Sequence, residues 1–352
     1  MTLKLVDNPK MKKNETPDLP NTSKSIFDYL PDSLIYLLAS PYLAGSESDQ
    51  AINEALDIYK THGFSGTLDI LGEDCVNEID CDNAVAEYKS LIDKVNLTNK
   101  NYPDEQSKLT ISFKPSMFMT GIPVAKTNKI KDLASSKAYE RIKQVVDYGF
   151  KKNVNLTLEA EDHKWADFHL DTYFSLLNSG YTNLGTVLQT RLKRTFNDIQ
   201  RFNDKSRVRL VIGIYDEPSS VAYTDKAIMK DLLIKYAKIL FDKGSYVEFA
   251  SHDTQTQTRF FKEIIVSDKI TSDRYETQYL KGVPRLNWQK NLQSGVFLRN
   301  NFKNTDLSSQ KSLVRLYLPY GKPNVASAYC KRRLAGNPNM ISYGIKNILG
   351  IN

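Results

Sequence analysis

The segment Val314-Arg-Leu-Tyr-Leu-Pro-Tyr-Gly321, followed by Tyr329-Cys-Lys-Arg-Arg-Leu334, carries two different hydrophobic patterns in a short distance. In its first part apolar residues alternate with polar or aromatic ones, which predicts a β-strand. Its second part predicts a helix that ends at Gly336, with Pro338 beyond it. A strand followed by a helix is the repeating unit of parallel α/β folds, so this segment suggests what to look for upstream.

The predicted helix places Tyr329, Arg332 and Arg333 at positions i, i+3 and i+4, on one face. Two guanidinium groups beside a phenol suggest a pocket for a planar anion such as a carboxylate. Arginines in the last turn of a helix also favour the helix dipole and are common on solvated surfaces. The spacing alone leaves both interpretations open.

The composition is that of an ordinary globular protein, with 41% hydrophobic and 25% charged residues among 352. This length allows two domains, but α/β barrels of this size form one. Three cysteines, Cys75, Cys81 and Cys330, indicate unpaired thiols and a reducing compartment. The polar N-terminus lacks a signal core, and the apolar run at 34–40 is too short to span a bilayer. We therefore expect a cytoplasmic protein.

The net charge is +7, and much of the excess lies between Arg191 and Arg209. Such a run predicts an exposed helix, with weak contact to an anionic surface such as lipid as the alternative. The sequence lacks a stripe of basic and aromatic residues of the kind that would suggest a nucleic-acid partner. His163 and His169 are six residues apart, which is poor spacing for a metal site, so we interpret them as solvated surface residues.

Predicted strands and helices alternate along most of the chain. Strands are predicted at Gly66–Leu71, Leu109–Lys114, Val154–Ala160, Leu184–Gln189, Val208–Tyr215, Tyr246–Ser251, Glu276–Leu280 and Val314–Pro319. Helical periodicity between them is clearest at Asn83–Asn96, Lys131–Lys151 and Asp225–Lys243. Eight strands alternating with helices predict a (βα)8 TIM barrel. A doubly wound sheet would require an early Gly-x-Gly-x-x-Gly, which the sequence lacks.

The N-terminal part precedes this alternation. Residues 1–24 are predicted to form a loose arm, and residues 25–62 two helical pieces broken near Ser40-Pro41. We therefore divide the chain into residues 1–60, a loose segment with a helical arm, and residues 61–352, the barrel with its C-terminal helix. The apolar run at 341–351 is interpreted as packing on the barrel, with membrane contact as the alternative.

Polar residues cluster where the predicted strands end, which is where barrels place their chemistry. Any one of them is most simply a hydrogen-bonded structural group. Their number argues for a common site, and their strand-end segments are Glu73-Asp74, Lys114, Glu159 to His163, Gln189, Tyr215 to Glu217, Ser251 to Asp253, Glu276 to Leu280, and Tyr317.

The sequence resembles a known family, the FAD-dependent proline dehydrogenases, whose fold is a distorted (βα)8 barrel. The resemblance rests on the order of five segments, which are Leu68 to Glu73, Arg209 to Tyr215, Tyr275 to Gly282, Arg315 to Gly321, and Tyr329-x-x-Arg-Arg333. It implies oxidation of L-proline to Δ1-pyrroline-5-carboxylate by hydride transfer to FAD, and then electron transfer to a quinone. It also implies a peripheral contact with the inner face of the membrane and a pyrroline-5-carboxylate dehydrogenase partner.

The resemblance implies roles by position. The proline site would be formed by Lys114, Tyr215, Leu280, Tyr317, Tyr329, Arg332 and Arg333. FAD would be held by Ala160, Gln189, Val211, Ile212, Gly213, Ile214, Thr224, Ser251 and His252. Arg209 would lie against the isoalloxazine, and Glu159 stands where the family usually has an active-site aspartate. An arginine pair fixes a carboxylate in one pose, and a cation near the flavin stabilises its reduced form. Before a substrate binds, we expect Glu159 and Glu276 to offset the cations of this site.

Three positions depart from the family pattern. Glu159 is one methylene longer than the usual aspartate, Ile212 replaces a common cation, and Gly336 replaces a common acidic partner of the arginine pair. Two alternatives to a proline dehydrogenase remain open, the first of them motivated by these departures. One is a family member acting on another cyclic imino acid such as 4-hydroxyproline, and the other is a barrel that binds a ligand without turnover.

Overall fold

The protein is a closed barrel of eight parallel strands, ordered β1 to β8 around the barrel. A computed structural model describes residues 29–72, 75–123, 136–303 and 305–336. The strands are β1 (Ser65–Ile70), β2 (Thr110–Phe113), β3 (Leu156–Leu158), β4 (Leu184–Gln189), β5 (Arg207–Val211), β6 (Tyr246–Ala250), β7 (Tyr275–Leu280) and β8 (Val314–Tyr320). All eight predicted strands are confirmed, and with them the (βα)8 fold.

Helices surround this barrel. They are α1 (Asp32–Ala39), α2 (Ser48–His62), α3 (Glu78–Thr98), α4 (Lys137–Lys151), α5 (Ala166–Asn178), α6 (Thr195–Asp198), α7 (Lys226–Asp242), α8 (Thr254–Phe260), α9 (Leu286–Gln293), α10 (Val296–Asn301) and α11 (Pro323–Gly336). The three helices predicted between strands are confirmed, with small differences at their ends, and residues 131–135 of the second prediction lie outside the described residues. Asn77 and Ser136 cap α3 and α4 by accepting hydrogen bonds from backbone N–H groups of the first turn.

The barrel interior is polar as well as apolar. Arg209 and Glu248 are register partners on β5 and β6, and Glu248 and Glu276 are partners on β6 and β7. Arg315 on β8 is 3% exposed and binds Glu276 through Nε at 2.7 Å. These buried charges are paired, as the cost of removing ions from water requires.

The N-terminal helices attach to the end of the barrel that carries α11. The predicted break is confirmed, because α1 ends at Ala39 and a 3-10 turn, Ser40–Tyr42, follows before α2. Ile35 and Ala39 pack in one apolar cluster with Cys330 and other α11 residues. Helix α1 is thus part of the wall that holds α11 in place.

The interval from Arg191 to Arg209 is not an exposed helix, so that prediction is wrong. Only the short helix α6 and a 3-10 turn lie within it. Arg207 and Arg209 belong to β5, and Arg209 is 4% exposed. The basic run gave a wrong prediction of an exposed helix because its last arginines are paired with carboxylates inside the barrel.

Strand β5 ends earlier than predicted. Its apolar run continues to Tyr215, but the strand stops at Val211 and Gly213 has a φ of 103°. A side chain at Gly213 would be strained, and its Cβ would clash with Gln189 Oε1. The chain leaves the sheet there, and Arg191 donates hydrogen bonds from its backbone N–H to the Ile212 carbonyl oxygen and from NH1 to the Tyr215 carbonyl oxygen.

The described residues contain no helix long and apolar enough to cross a membrane. Cys75, Cys81 and Cys330 carry free thiols, as predicted. The arm at 1–24, the segment Glu73-Asp74, Pro338 and the run at 341–351 lie outside the described residues.

The interpretation as a solvated surface residue is wrong for His169, whereas the His163 side chain is 29% exposed and paired with Glu217. His163 Nδ1 lies 2.5 Å from Glu217 Oε2, and His169 is only 2% exposed. The His169 Nε2 lies 3.1 Å from the Leu158 carbonyl oxygen and 2.7 Å from Thr186 Oγ1. Burial lowers the pKa of His169 to about 4.

This buried imidazole predicts acid sensitivity. Above pH 6.5 it is neutral in both states, whereas between pH 6.5 and about 4 only the unfolded chain takes the proton. From pH 7.5 to 5, His169 alone is expected to lower the free energy of unfolding by about 2 kcal/mol. Urea titrations at both pH values should show a smaller pH-dependent loss for His169→Met than for the unsubstituted protein. An equal loss in both proteins would contradict the assignment.

Candidate active site

A cavity of about 490 Å³ opens where the strands end. Its walls include Gln189, Val211, Ala250 and Leu280, the last residues of β4 to β7. This is the end of a (βα)8 barrel at which enzymes of the fold carry their sites, and the size is typical of ligand pockets.

Most predicted site residues line this cavity. They are Glu159, Ala160, Gln189, Arg209, Val211, Ile212, Gly213, Ile214, Tyr215, Ser251, His252, Leu280, Tyr317 and Arg333. The clustering follows from the barrel itself, because residues far apart in sequence leave neighbouring strands at the same end.

Four predicted residues do not line the cavity. Lys114 follows β2 and is buried, whereas Thr224 is exposed just before α7. Tyr329 packs in the same apolar cluster as Leu280, and the Arg332 guanidinium lies 6.0 Å from the centre of the Tyr215 ring. Apart from Thr224, these residues lie behind the walls of the cavity or beside them.

Arg209 contacts several side chains of the site. Its NH1 donates to Glu159, and its NH2 donates to Ser112 Oγ at 3.2 Å. Its guanidinium lies 5.3 Å from the centre of the Tyr317 ring. Burial disfavours the charged form, but Glu159 and Glu248 outweigh it and raise the pKa of Arg209. A fixed, permanently charged fork therefore faces the cavity.

Lys114 forms a buried ion pair with Asp69 on β1. Its Nζ lies 3.0 and 2.9 Å from the two carboxylate oxygens, and the Asp69 side chain is fully buried. Burial raises the pKa of Asp69, and the charge of Lys114 opposes that shift. Asp69 has no role among the predicted site residues, although it lies in one of the segments that carry the family resemblance.

The phenols of Tyr317 and Tyr329 are neutral near pH 7, because the pKa of each is raised. Burial, followed by the charges of Asp69 and Glu159, raises the pKa of Tyr317. Burial is also the main cause of the raised pKa of Tyr329. Arg333 lies 5.2 Å from the centre of the Tyr329 ring, so the i, i+4 spacing on α11 does produce a contact.

Apart from Thr224, the residues that the resemblance assigns to FAD line the cavity, and Gln189, Ser251 and His252 give it a polar cradle. The loop from Val211 to Tyr215 turns beside Gln189, whose Nε2 donates to the Glu161 carbonyl at 2.7 Å. Among the described residues, the buried Gln189 Oε1 and His252 Nδ1 have no hydrogen-bond partner. Buried polar atoms ordinarily have partners, so these atoms fit a ligand rich in donors and acceptors such as FAD.

Two features of this wall were missed by sequence reasoning. Arg285 lines the cavity and donates from Nε to the His252 carbonyl oxygen at 3.0 Å. Burial, then the charges of Arg333 and Arg285, lower the pKa of His252 to about 4, so the imidazole is neutral near pH 7. The only available signal for Arg285 was its place just beyond the end of β7.

One expected pairing is wrong. Glu159 and Glu276 were predicted to offset the cations of the site before a substrate binds. Glu276 instead binds Arg315 near the start of β7 and β8, and the residue that pairs with Lys114 is Asp69. Glu159 does offset a cation, but it is Arg209.

Comparisons with known proteins agree with one another. A family model described as proline dehydrogenase matches residues 52–343. A proline dehydrogenase of Deinococcus radiodurans is 28% identical over 317 residues, which are 89% of this chain and 90% of that protein. Proline dehydrogenase 1 of Bacillus subtilis strain 168 is 25% identical over 312 residues, with 88% and 90% covered.

Solved structures share the fold. Proline utilization A from Bdellovibrio bacteriovorus, inactivated by N-propargylglycine, superposes with a TM-score of 0.69 at 21% identity. The match covers 84% of this chain and 32% of that one, so this chain spans about a third of its length. A structure of proline utilization A with proline bound in remote sites gives a TM-score of 0.66 at 18% identity, with 87% and 32% covered.

Proposed function

The chain belongs to the proline dehydrogenase family, and we propose that it oxidises L-proline to Δ1-pyrroline-5-carboxylate with FAD as the hydride acceptor. The observation that carries the proposal is the cavity in which Arg209 and Arg333 line one pocket together with Tyr215 and Tyr317. Cations and aromatic walls suit a small ring with a carboxylate, and the polar cradle beside them suits a cofactor.

FAD would supply the redox chemistry by accepting a hydride from the substrate carbon beside the ring nitrogen. In our proposal the cofactor is held by Ala160, Gln189, Val211, Ile212, Gly213, Ile214, Thr224, Ser251 and His252. Arg209 would lie against the isoalloxazine, in the orientation that its ion pair with Glu159 gives it. A cation held in one position stabilises negative charge as it develops, without having to reorganise.

The substrate carboxylate is held by Arg332, Arg333 and Lys114 in this proposal. Tyr215, Leu280, Tyr317 and Tyr329 enclose the ring, and the neutral state of Tyr317 and Tyr329 is compatible with this apolar role. A fixed carboxylate and packed walls leave the substrate one productive pose, which lowers the entropic part of the barrier. Binding, orientation and exclusion of water are thus the tasks of the protein residues.

The visible spectrum of the purified protein tests this function. We expect a yellow protein that bleaches when L-proline is added without oxygen. A panel with 4-hydroxyproline and six-membered ring analogues tests the alternative substrate class, which the longer side chain of Glu159 motivates. A yellow protein that bleaches with 4-hydroxyproline and not with proline would overturn the substrate assignment and leave the cofactor in place.

The carboxylate clamp gives a separate prediction. Arg332→Lys keeps the charge but loses the planar fork, so proline binding is expected to weaken by on the order of 1–3 kcal/mol. Steady-state kinetics should show this weaker binding as a higher KM for proline, with the flavin content unchanged. Lys331→Met is the matched control, because Lys331 binds Asp32 at 2.9 Å and faces α1. Normal proline binding by Arg332→Lys would show that the clamp assignment is wrong.

The fate of the products is part of the same proposal. We expect the electrons to pass to a quinone, through peripheral contact with the inner face of the membrane, and the product to pass to a pyrroline-5-carboxylate dehydrogenase. Reoxidation of the proline-reduced protein by a soluble quinone, and sedimentation with anionic vesicles, test the first two statements. No reoxidation by the quinone would require a different acceptor.

A further inference from the structure

A carboxylate lies directly beside Arg209 on the next strand. Glu248 on β6 is the register partner of Arg209 on β5, and it is 1% exposed. Its Oε2 lies 3.4 Å from Arg209 Nε, an ion pair without hydrogen-bond geometry. Arg209 is therefore placed between two carboxylates, those of Glu159 and Glu248.

Other contacts fix the position of Glu248. Arg207 NH1 donates to its Oε1 at 2.7 Å, and Gln278 Nε2 donates to its Oε2 at 2.8 Å. Arg207 itself is anchored to the carbonyl oxygens of Leu156 and Asn183. The carboxylate cannot move away from Arg209 without breaking hydrogen bonds in a buried network.

Glu248 is ionised in this setting. Burial alone would raise its pKa, but the charges of Arg207 and Arg209 outweigh burial and lower it. A buried negative charge at this distance offsets part of the positive potential that Arg209 projects into the cavity, because screening by water is weak there. It also attracts the Nε side of the guanidinium, whose other nitrogens are hydrogen-bonded to Glu159 and Ser112.

We propose that Glu248 is a positioning residue that helps to hold the Arg209 guanidinium and partly offsets its positive charge, and thereby sets the reduction potential of the bound flavin. The proposal rests on the proposed function, since it assumes FAD beside Arg209. Glu248 does not line the cavity with the substrate-facing residues, so its action passes through Arg209.

The test is the reduction potential of the flavin in Glu248→Gln. The amide keeps the shape and one acceptor but removes the negative charge, so the reduced, more negative flavin should become easier to form. In equilibrium with a redox dye at fixed potential, we expect the ratio of reduced to oxidised flavin to rise by about tenfold, equal to about 30 mV for a two-electron couple. The KM for proline should stay near that of the unsubstituted protein, because the carboxylate clamp is unchanged.

Glu276→Gln is the matched control. Glu276 is also buried in the barrel, but its partners are Arg315, Tyr246 and Gln278, and it makes no hydrogen bond or ion pair with Arg209 among the described residues. Its substitution should leave the flavin ratio within about twofold of the unsubstituted value. Glu248→Asp keeps the charge but retracts it by one methylene, so it should shift the ratio in the same direction by less.

The outcomes separate the two proposals. An unsubstituted protein without flavin, or with a flavin that proline does not reduce, contradicts the proposed function. If the unsubstituted protein is reduced by proline, an unchanged ratio in Glu248→Gln overturns the role of Glu248. An equal shift in Glu276→Gln overturns it as well, since the effect would then belong to any buried charge in the barrel. Should Glu248→Gln fail to fold, the comparison of Glu248→Asp with Glu276→Gln decides.

Discussion

Arg315→Met is expected to lower the free energy of unfolding by about 3–5 kcal/mol, the range for breaking one partner out of a buried ion pair. Arg315 binds both oxygens of Glu276, at 2.7 and 3.1 Å, and its side chain is 4% exposed. Its NH1 also donates to Ser65 Oγ at 2.7 Å and to the Gly66 carbonyl at 3.0 Å, on the strand that closes the barrel. Methionine would leave the buried Glu276 carboxylate without its cation and would remove the guanidinium donor from the carbonyl oxygens of Gly66 and Gln106. Urea unfolding followed by circular dichroism measures the change.

Surface arginine pairs provide the control for this substitution. Arg259 binds Glu263 at 2.8 Å and Asp231 at 2.5 Å, but its side chain is 41% exposed. Arg259→Met is therefore expected to cost at most about 1 kcal/mol. The double variant Arg315→Met/Glu276→Met should recover part of the loss, because it removes both charges. An Arg315→Met protein within 1 kcal/mol of the unsubstituted one would show that the pair is not a major source of stability.

The same pair shows where sequence reasoning reaches its limit. Short apolar runs bounded by turn residues predicted all eight strands, because strands of a parallel barrel are buried on both faces. The pairing of Glu276 with Arg315 depends instead on the stagger between β7 and β8, which places Gln278 opposite Arg315. Local patterns do not contain that stagger, so Glu276 was assigned to the wrong end of the barrel.

The candidate site was more accessible to sequence reasoning, because a parallel barrel brings every strand end to one place. Glu159, Gln189 and Ser251 were predicted from their position at strand ends and from the family resemblance, and all three line the cavity. Arg285 was missed because it lies in the loop beyond β7, where no periodicity constrains its direction. The role of Asp69 was missed because an aspartate inside a strand gives no indication of its partner.

Arg209→Lys is expected to lower the rate of flavin reduction by proline by about 10²–10³-fold, the loss that follows removal of one preorganised donor. Lysine keeps the charge, but a single ammonium group on a flexible stem cannot reach Glu159, Ser112 and Glu248 together as the guanidinium does. Rapid mixing with L-proline without oxygen measures the rate, and the KM for proline should change little because the clamp on α11 is unaltered. The bound FAD should be retained.

Arg207→Lys is the matched control, since it makes the same change two residues earlier on β5. Arg207 binds Glu248 at 2.7 Å and does not line the cavity, so the rate of flavin reduction should fall by less than about tenfold. Equal losses in both variants would mean that β5 tolerates no lysine and that the fork of Arg209 has no special role. A rate near that of the unsubstituted protein in Arg209→Lys would mean that charge alone is sufficient. The predicted difference between the two variants follows only if the position of the Arg209 guanidinium, held by two carboxylates and a serine, contributes to the rate of flavin reduction.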